Sequence, residues 1–199
     1  MSKRLSRIKL ISKSLSLLSM TIASTQIPIL LTSFTTWRAD QVSNASDDLL
    51  ALVEKQAIAT HLKMLRQLPV DTPRATEAVV GAIYHHRPRY AICCGMAESR
   101  RYLELERQAK CKEETLQTTL DLPWLTASLL DICISNDAGI FVCNGLYYNL
   151  LKHLGQTQLD TCGLFIHVPI LTDVNRVFIL SNFCMLLEII IAQSLSRTD

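Results

Sequence analysis

Three titratable residues stand where an alternating strand–helix chain gathers its chemistry, at the carboxyl ends of strands and the amino ends of the helices that follow. Cys143 comes after the turn Asp137-Ala138-Gly139, in the first turn of a helix expected from about Ile140 to His153. A thiol at that end feels the helix's positive pole, which lowers its pKa and raises its thiolate fraction. His167 closes the apolar run Cys162–Val168 just before Pro169, and Glu106 ends the alternating stretch Tyr102–Arg107. Cysteine, histidine and carboxylate are the parts of a thiol acyl-transfer site: nucleophile, base, and a group that orients the base. Each also has a plain reading, a core thiol or a hydrogen-bonded strand-end imidazole, and spacing alone leaves both open.

The elements that must position these residues alternate along the chain. Ile27–Phe34 reads as a buried strand, and Asn44-Ala45-Ser46-Asp47-Asp48 opens a helix whose apolar stripe continues through Leu49, Leu50, Val53 and Ala57 to His61. Gln67–Val70 reads as a second strand, Thr72-Pro73 starts a helix running to about His85, and Tyr90–Gly95 is a third strand. Residues 111–124 read as a polar loop, Leu129–Ser135 as a strand, and about Val174 to Leu195 as a long closing helix. This order predicts an α/β fold of three layers, a mostly parallel twisted sheet flanked by helices.

Composition narrows the function classes. The chain has 199 residues, 49% of them hydrophobic, enough for one well-cored domain. Residues 1–26 hold Lys3, Arg4, Arg7, Lys9 and Lys13 and no acid, which leaves 15 basic against 18 acidic residues elsewhere, a net of −3. A phosphate-tracking surface is therefore not expected, and no nucleic acid partner. No unbroken run of about 18 apolar residues occurs, so no membrane span is expected. The seven cysteines (Cys93, Cys94, Cys111, Cys133, Cys143, Cys162, Cys184) are odd in number and lie mostly in apolar runs, which suits buried free thiols in a reducing cytoplasm. No metal-ligand spacing is present, and no metal or cofactor is expected. The basic, Ser-rich residues 1–26 resemble a targeting segment. Unpaired thiols argue instead for a dispensable N-terminal extension, with Met20 a second possible start and residues 27–199 forming one domain.

The residues around the three candidates carry a resemblance. Ser135-Asn136-Asp137-Ala138-Gly139-Ile140-Phe141-Val142-Cys143-Asn144 is similar to the pattern S-x-x-A-G-x-[FY]-[VL]-C-N, and Leu164-Phe165-Ile166-His167-Val168-Pro169 to G-F-I-H-[VI]-P. Gly95-Met96-Ala97 with Arg100, then Glu106-Arg107-Gln108-Ala109, is similar to G-x-A-x-x-R-x-x-x-x-x-E-R-x-A, and Leu30-Leu31-Thr32-Ser33-Phe34 to L-[LV]-T-G-F. These four ordered blocks, over roughly residues 28–170, resemble the pyroglutamyl peptidase I family of cysteine peptidases, the pyrrolidone-carboxylate peptidases.

The resemblance implies that Cys143 is the nucleophile, His167 its base and Glu106 the group that orients the histidine. The implied substrate is a peptide blocked by an N-terminal pyroglutamate, cleaved through a thioester acyl-enzyme. Phe34 and Trp37 match two aromatics of the family's ring-binding segment, and Phe141 precedes the nucleophile; core packing is the alternative for each. Homo-oligomers are also implied, and Phe178, Phe183, Leu186 and Ile189 of the last helix are compatible with them. The chain departs from the pattern at Ser33, where the family has Gly, at Arg38-Ala39 for Gly-Gly, and at Cys111 for Asn. Only 36 residues separate Glu106 from Cys143, fewer than in the family, which predicts a more open pocket. A second reading follows from those departures: a catalytically weak homologue that binds blocked peptide N-termini or a protein partner.

Overall fold

A computed structural model describes residues 29–195. The expectation for the segment 1–26 lies outside the described residues. The strands are β1 (Ile29–Phe34), β2 (Leu62–Leu68), β3 (Tyr90–Met96), β4 (Leu103–Glu106), β5 (Gln108–Cys111), β6 (Glu114–Gln117), β7 (Ile132–Ser135) and β8 (Cys162–Val168). The α-helices are α1 (Ala45–Val53), α2 (Thr72–His86), α3 (Leu122–Thr126), α4 (Val142–Gln156) and α5 (Arg176–Leu195). Six strands form one sheet in the order β2-β1-β3-β8-β4-β7, and β5 and β6 form a separate hairpin. The pairs among β2, β1, β3 and β8 are parallel. β4 runs antiparallel to β8, and β7 parallel to β4. The fold is thus the three-layer α/β arrangement expected, with a reversed two-strand edge.

The central strands are continuous apolar runs because helices cover both of their faces. Alternation then divides the residues. Ile29, Leu31, Tyr90, Ile92, Cys94, Leu105, Ile166 and Val168 join the core beneath α1 and α5. Leu30, Phe34, Ala91, Cys93 and Phe165 join the core beneath α2 and α4. The helix starts are capped as the sequence suggests: Asn44 accepts from the Ser46 N–H, and Asp71 from the Arg74 N–H with Pro73 beside it.

Several elements differ from the sequence reading. The second strand is Leu62–Leu68, not Gln67–Val70; as a partly exposed edge it alternates poorly, and Gln67 turns the chain there with a φ of 59°. The helical stripe of α1 ends at Val53, and a short 3-10 helix, Ala57–His61, supplies the rest. The expected loop 111–124 instead holds most of the hairpin and the start of α3, turned at Lys112 in the left-handed region. The strand read as Leu129–Ser135 begins at Ile132, after Asp131 with a φ of 55°.

α5 is long and apolar enough to cross a bilayer by length and composition, a property that the core helix of a soluble protein can share. Ser181, Asn182 and Glu188 break the apolar run in the sequence, yet the mean hydropathy of the helix stays high. Here Ile179, Phe183, Leu186, Leu187 and Ile190 are buried in the core beneath that helix. Phe183 and Leu186 are therefore explained by the core, whereas Phe178 is partly exposed.

Candidate active site

One face of three adjacent strands assembles the site. On β8, Phe165 and His167 point toward α4, and on β3 their neighbours are Cys93 and Gly95, with Gly95 directly opposite His167. On β4, Glu104 lies opposite His167 and Glu106 opposite Phe165. The intervening residues, Ile166 and Leu105, face the other core.

Glu106 and His167 form a buried pair. The imidazole Nδ1 and Glu106 Oε1 are 2.7 Å apart, with Glu106 fully buried and His167 5% exposed. An Nδ1–H donated to the carboxylate leaves Nε2 free to act as the base. Glu106 Oε2 is buried with no hydrogen-bond partner among the described residues, so the carboxylate's charge is directed mainly at the imidazole. The Phe165 ring packs 5.0 Å from the imidazole, centroid to centroid. The Tyr147 hydroxyl donates to the Glu106 carbonyl at 2.9 Å, and its ring lies 5.8 Å from Phe165.

Cys143 enters from above the sheet. It is the second residue of α4, whose N-cap, Phe141, offers no side-chain hydrogen bond, and the first intrahelical bond runs from Gly145 N–H to the Phe141 carbonyl. The first-turn N–H groups before Gly145 have no carbonyl behind them within the helix and form a donor set suited to an oxyanion. The Cys143 Sγ rests on Gly95: a Cβ at that glycine would lie 2.7 Å from the sulfur and 2.8 Å from the Phe165 ring. Gly95 is thus required by close approach, and the sulfur lies over the strand position beside His167.

The thiol does not titrate as the helix start suggests. Burial, opposed by a hydrogen bond with its own backbone and reinforced by the Cys93 and Glu106 charges, pushes it up to about 12. Desolvation outweighs the helix pole, and the resting thiol keeps its proton. The expectation of buried cysteines also needs correction. Cys93 and Cys94 are buried, but Cys111 and Cys133 are exposed, and all seven cysteines are free.

The three aromatic candidates separate. Phe34 is buried at the end of β1 and belongs to the same core cluster as Cys143. Trp37, on the loop after β1, is 43% exposed, and Phe141, at the mouth of α4, is 78% exposed. Arg38, in place of a glycine, pairs with Glu98 at 2.8 Å, while the Gln41 side chain accepts from the Trp37 and Arg38 N–H groups. The loop's other path is thereby fixed to the β3–β4 turn. Ser33 is absorbed on the opposite face, donating to Asp47 at 2.7 Å. Asn144, next to Cys143, both accepts from and donates to the backbone of Lys110, tying α4 to the hairpin. Sequence reasoning did not identify the parts played by Gly95 and Tyr147. Tyr147 follows Cys143 by four residues, the spacing of one helical face, and that was the available signal. No group of three His, Cys, Asp or Glu among the described residues could hold a metal.

The family model for pyroglutamyl peptidases matches residues 125–193, which include Cys143 and His167. The pyrrolidone-carboxylate peptidase of Bacillus licheniformis is 25% identical over 171 residues, covering 73% of this chain and 79% of that protein. That of Gloeobacter violaceus is 26% identical, covering 73% and 82%. Among solved structures, a mutant pyrrolidone carboxyl peptidase from Pyrococcus furiosus aligns with a TM-score of 0.68 at 20% identity, over 83% of this chain and 98% of that one. The pyroglutamyl peptidase I of Bacillus amyloliquefaciens aligns with a TM-score of 0.68 at 20% identity, over 79% and 93%. By sequence this chain is similar to the pyroglutamyl peptidases, the pyrrolidone-carboxylate peptidases, and it shares their fold.

Proposed function

We propose that the chain is a cysteine omega-peptidase that removes an N-terminal pyroglutamyl residue from peptides, using Cys143, His167 and Glu106 within one domain, residues 27–199. The observation that carries this reading is the buried His167–Glu106 pair at 2.7 Å beside a thiol seated on Gly95. With the resting thiol protonated, His167 Nε2 takes the proton as sulfur attacks the pyroglutamyl carbonyl, and Glu106 stabilises the imidazolium that forms. The first-turn N–H groups of α4 receive the negative oxygen of the tetrahedral intermediate. The C–N bond then breaks, and His167 returns the proton to the leaving amine. Water, deprotonated by the same imidazole, cleaves the thioester and restores the thiol.

The exposed Phe141 and Trp37 and the buried Phe34 are the aromatics offered to a flat lactam ring. Seven free cysteines fit work in a reducing, cytoplasmic setting. The test is hydrolysis of a fluorogenic pyroglutamyl amide by wild type and Cys143→Ser. Turnover by wild type and loss in the variant support the reading. Saturable binding of a pyroglutamyl peptide without turnover would replace it with the binding-only homologue.

A further inference from the structure

Arg100 lies in the turn between β3 and β4, where its N–H donates to the Ala97 carbonyl. Its guanidinium reaches in two directions. Nη1 is 3.2 Å from Glu104 Oε2, and Nη2 donates to the Asp137 carbonyl at 3.2 Å. Glu104 sits opposite His167 in the β4–β8 register, one strand step from Glu106 on the same face, and its side chain is 16% exposed. Asp137 belongs to the loop from β7 into α4. That loop is further held by Asp137 N–H to Ser135 Oγ, Gly139 N–H to Asp137 Oδ1, and Gln108 Nε2 to the Asn136 carbonyl.

We propose that Arg100 is a positioning residue of the site, tying the carboxylate across from His167 to the loop that leads into the helix carrying Cys143. The proposal rests on the peptidase reading given above. One planar guanidinium spans the two halves of the site, which come from separate segments of the chain. It also neutralises a second carboxylate beside the imidazole. The titratable and charged groups gathered around His167 are Glu104 and Glu106 from β4, Cys143 and Tyr147 from α4, Cys93 from β3, and Arg100 from the turn. Without Arg100, Glu104 would present an uncompensated negative charge to His167 and favour imidazolium over the free base.

The experiment compares wild type, Arg100→Ala and Arg100→Ala/Glu104→Gln on the fluorogenic pyroglutamyl amide across pH, with a melting curve for each. Arg100→Ala is expected to lose about 10- to 100-fold in kcat with KM little changed. Its acid limb moves to higher pH, and millimolar guanidinium restores part of kcat. The double variant returns the acid limb toward wild type, because the unpaired charge is gone. An unchanged kcat and acid limb would overturn the proposal. So would a kcat loss that tracks a fall in Tm with neither limb shift nor rescue, the signature of a structural role alone. If wild type turns over no pyroglutamyl amide, the peptidase reading fails. Arg100 is then judged by iodoacetamide alkylation of Cys143 in a Cys111→Ser/Cys133→Ser background. Slower alkylation in Arg100→Ala supports the proposal, and an unchanged rate overturns it.

Discussion

The two faces of the central strands carry the same backbone and opposite duties. Toward α1 and α5 the strands present Leu31, Ile92, Cys94, Leu105, Ile166 and Val168, an apolar layer with no chemistry. Toward α2 and α4 the layer begins as core, with Leu30, Cys93 and Phe165, and turns chemical at the carboxyl ends of β3 and β8, with Gly95 and His167, where Glu106 reaches in from the antiparallel β4. A one-residue alternation separates stability from reactivity, so adjacent residues on β8 are expected to fail in different ways.

The largest contrast lies there. His167→Gln, which keeps a donor for the buried Glu106 carboxylate, is expected to abolish pyroglutamyl-amide turnover with little change in Tm. Ile166→Ala, one residue away on the apolar face, should cost about 2–5 kcal/mol of stability while the folded fraction keeps its kcat. Denaturant titration and active-site-normalised kinetics read both quantities. Next in size is Glu106→Gln, which still holds the ring but stabilises imidazolium poorly. A kcat lower by about 10²- to 10⁴-fold, with measurable residual turnover, is expected. Equal kcat in wild type and variant would remove Glu106 from the site.

Gly95→Ala sharpens the comparison from the neighbouring strand. Its Cβ would press on the Cys143 sulfur at 2.7 Å and on Phe165, displacing the thiol. A kcat loss of about 100-fold is expected in steady-state kinetics. Cys94→Ala, on the other face of β3, should lower Tm and leave kcat alone. The smallest effect concerns the free enzyme. Burial holds the Cys143 thiol at about 12, so its alkylation by iodoacetamide should keep rising above the ordinary thiol value of about 8.5. A plateau near neutral pH would instead reveal a resting thiolate–imidazolium pair. The exposed Cys111 and Cys133 must be replaced by Ser for this measurement.

Which parts were legible in the sequence follows from how local each signal is. Cys143 at a helix start and His167 at a strand end are each marked by their own neighbours, and alternation in Tyr102–Arg107 places Glu106 near the end of a strand. The parallel core strands read directly because continuous apolar runs bounded by turns have few other uses. The position of β4 was not legible. It inserts between β8 and β7 in a direction opposite to β8, and no local pattern encodes that pairing. Contacts that depend on it, such as Arg100 to the Asp137 carbonyl, were hidden for the same reason. The hairpin was missed because Cys111-Lys112-Glu113-Glu114 lacks a glycine or asparagine turn, and Lys112 adopts the left-handed conformation itself. The thiol's titration went the other way because a helix pole can be read from sequence, whereas desolvation depends on the assembled walls.

The central claim is that Cys143 carries the acyl group. The direct measurement is acid quench of wild type during turnover of a pyroglutamyl amide, followed by peptide mass spectrometry of all seven cysteines. The account predicts one pyroglutamyl adduct, on the peptide containing Cys143, that is labile to hydroxylamine and absent from His167→Ala. An adduct on another cysteine, or turnover that persists in Cys143→Ala, would contradict it.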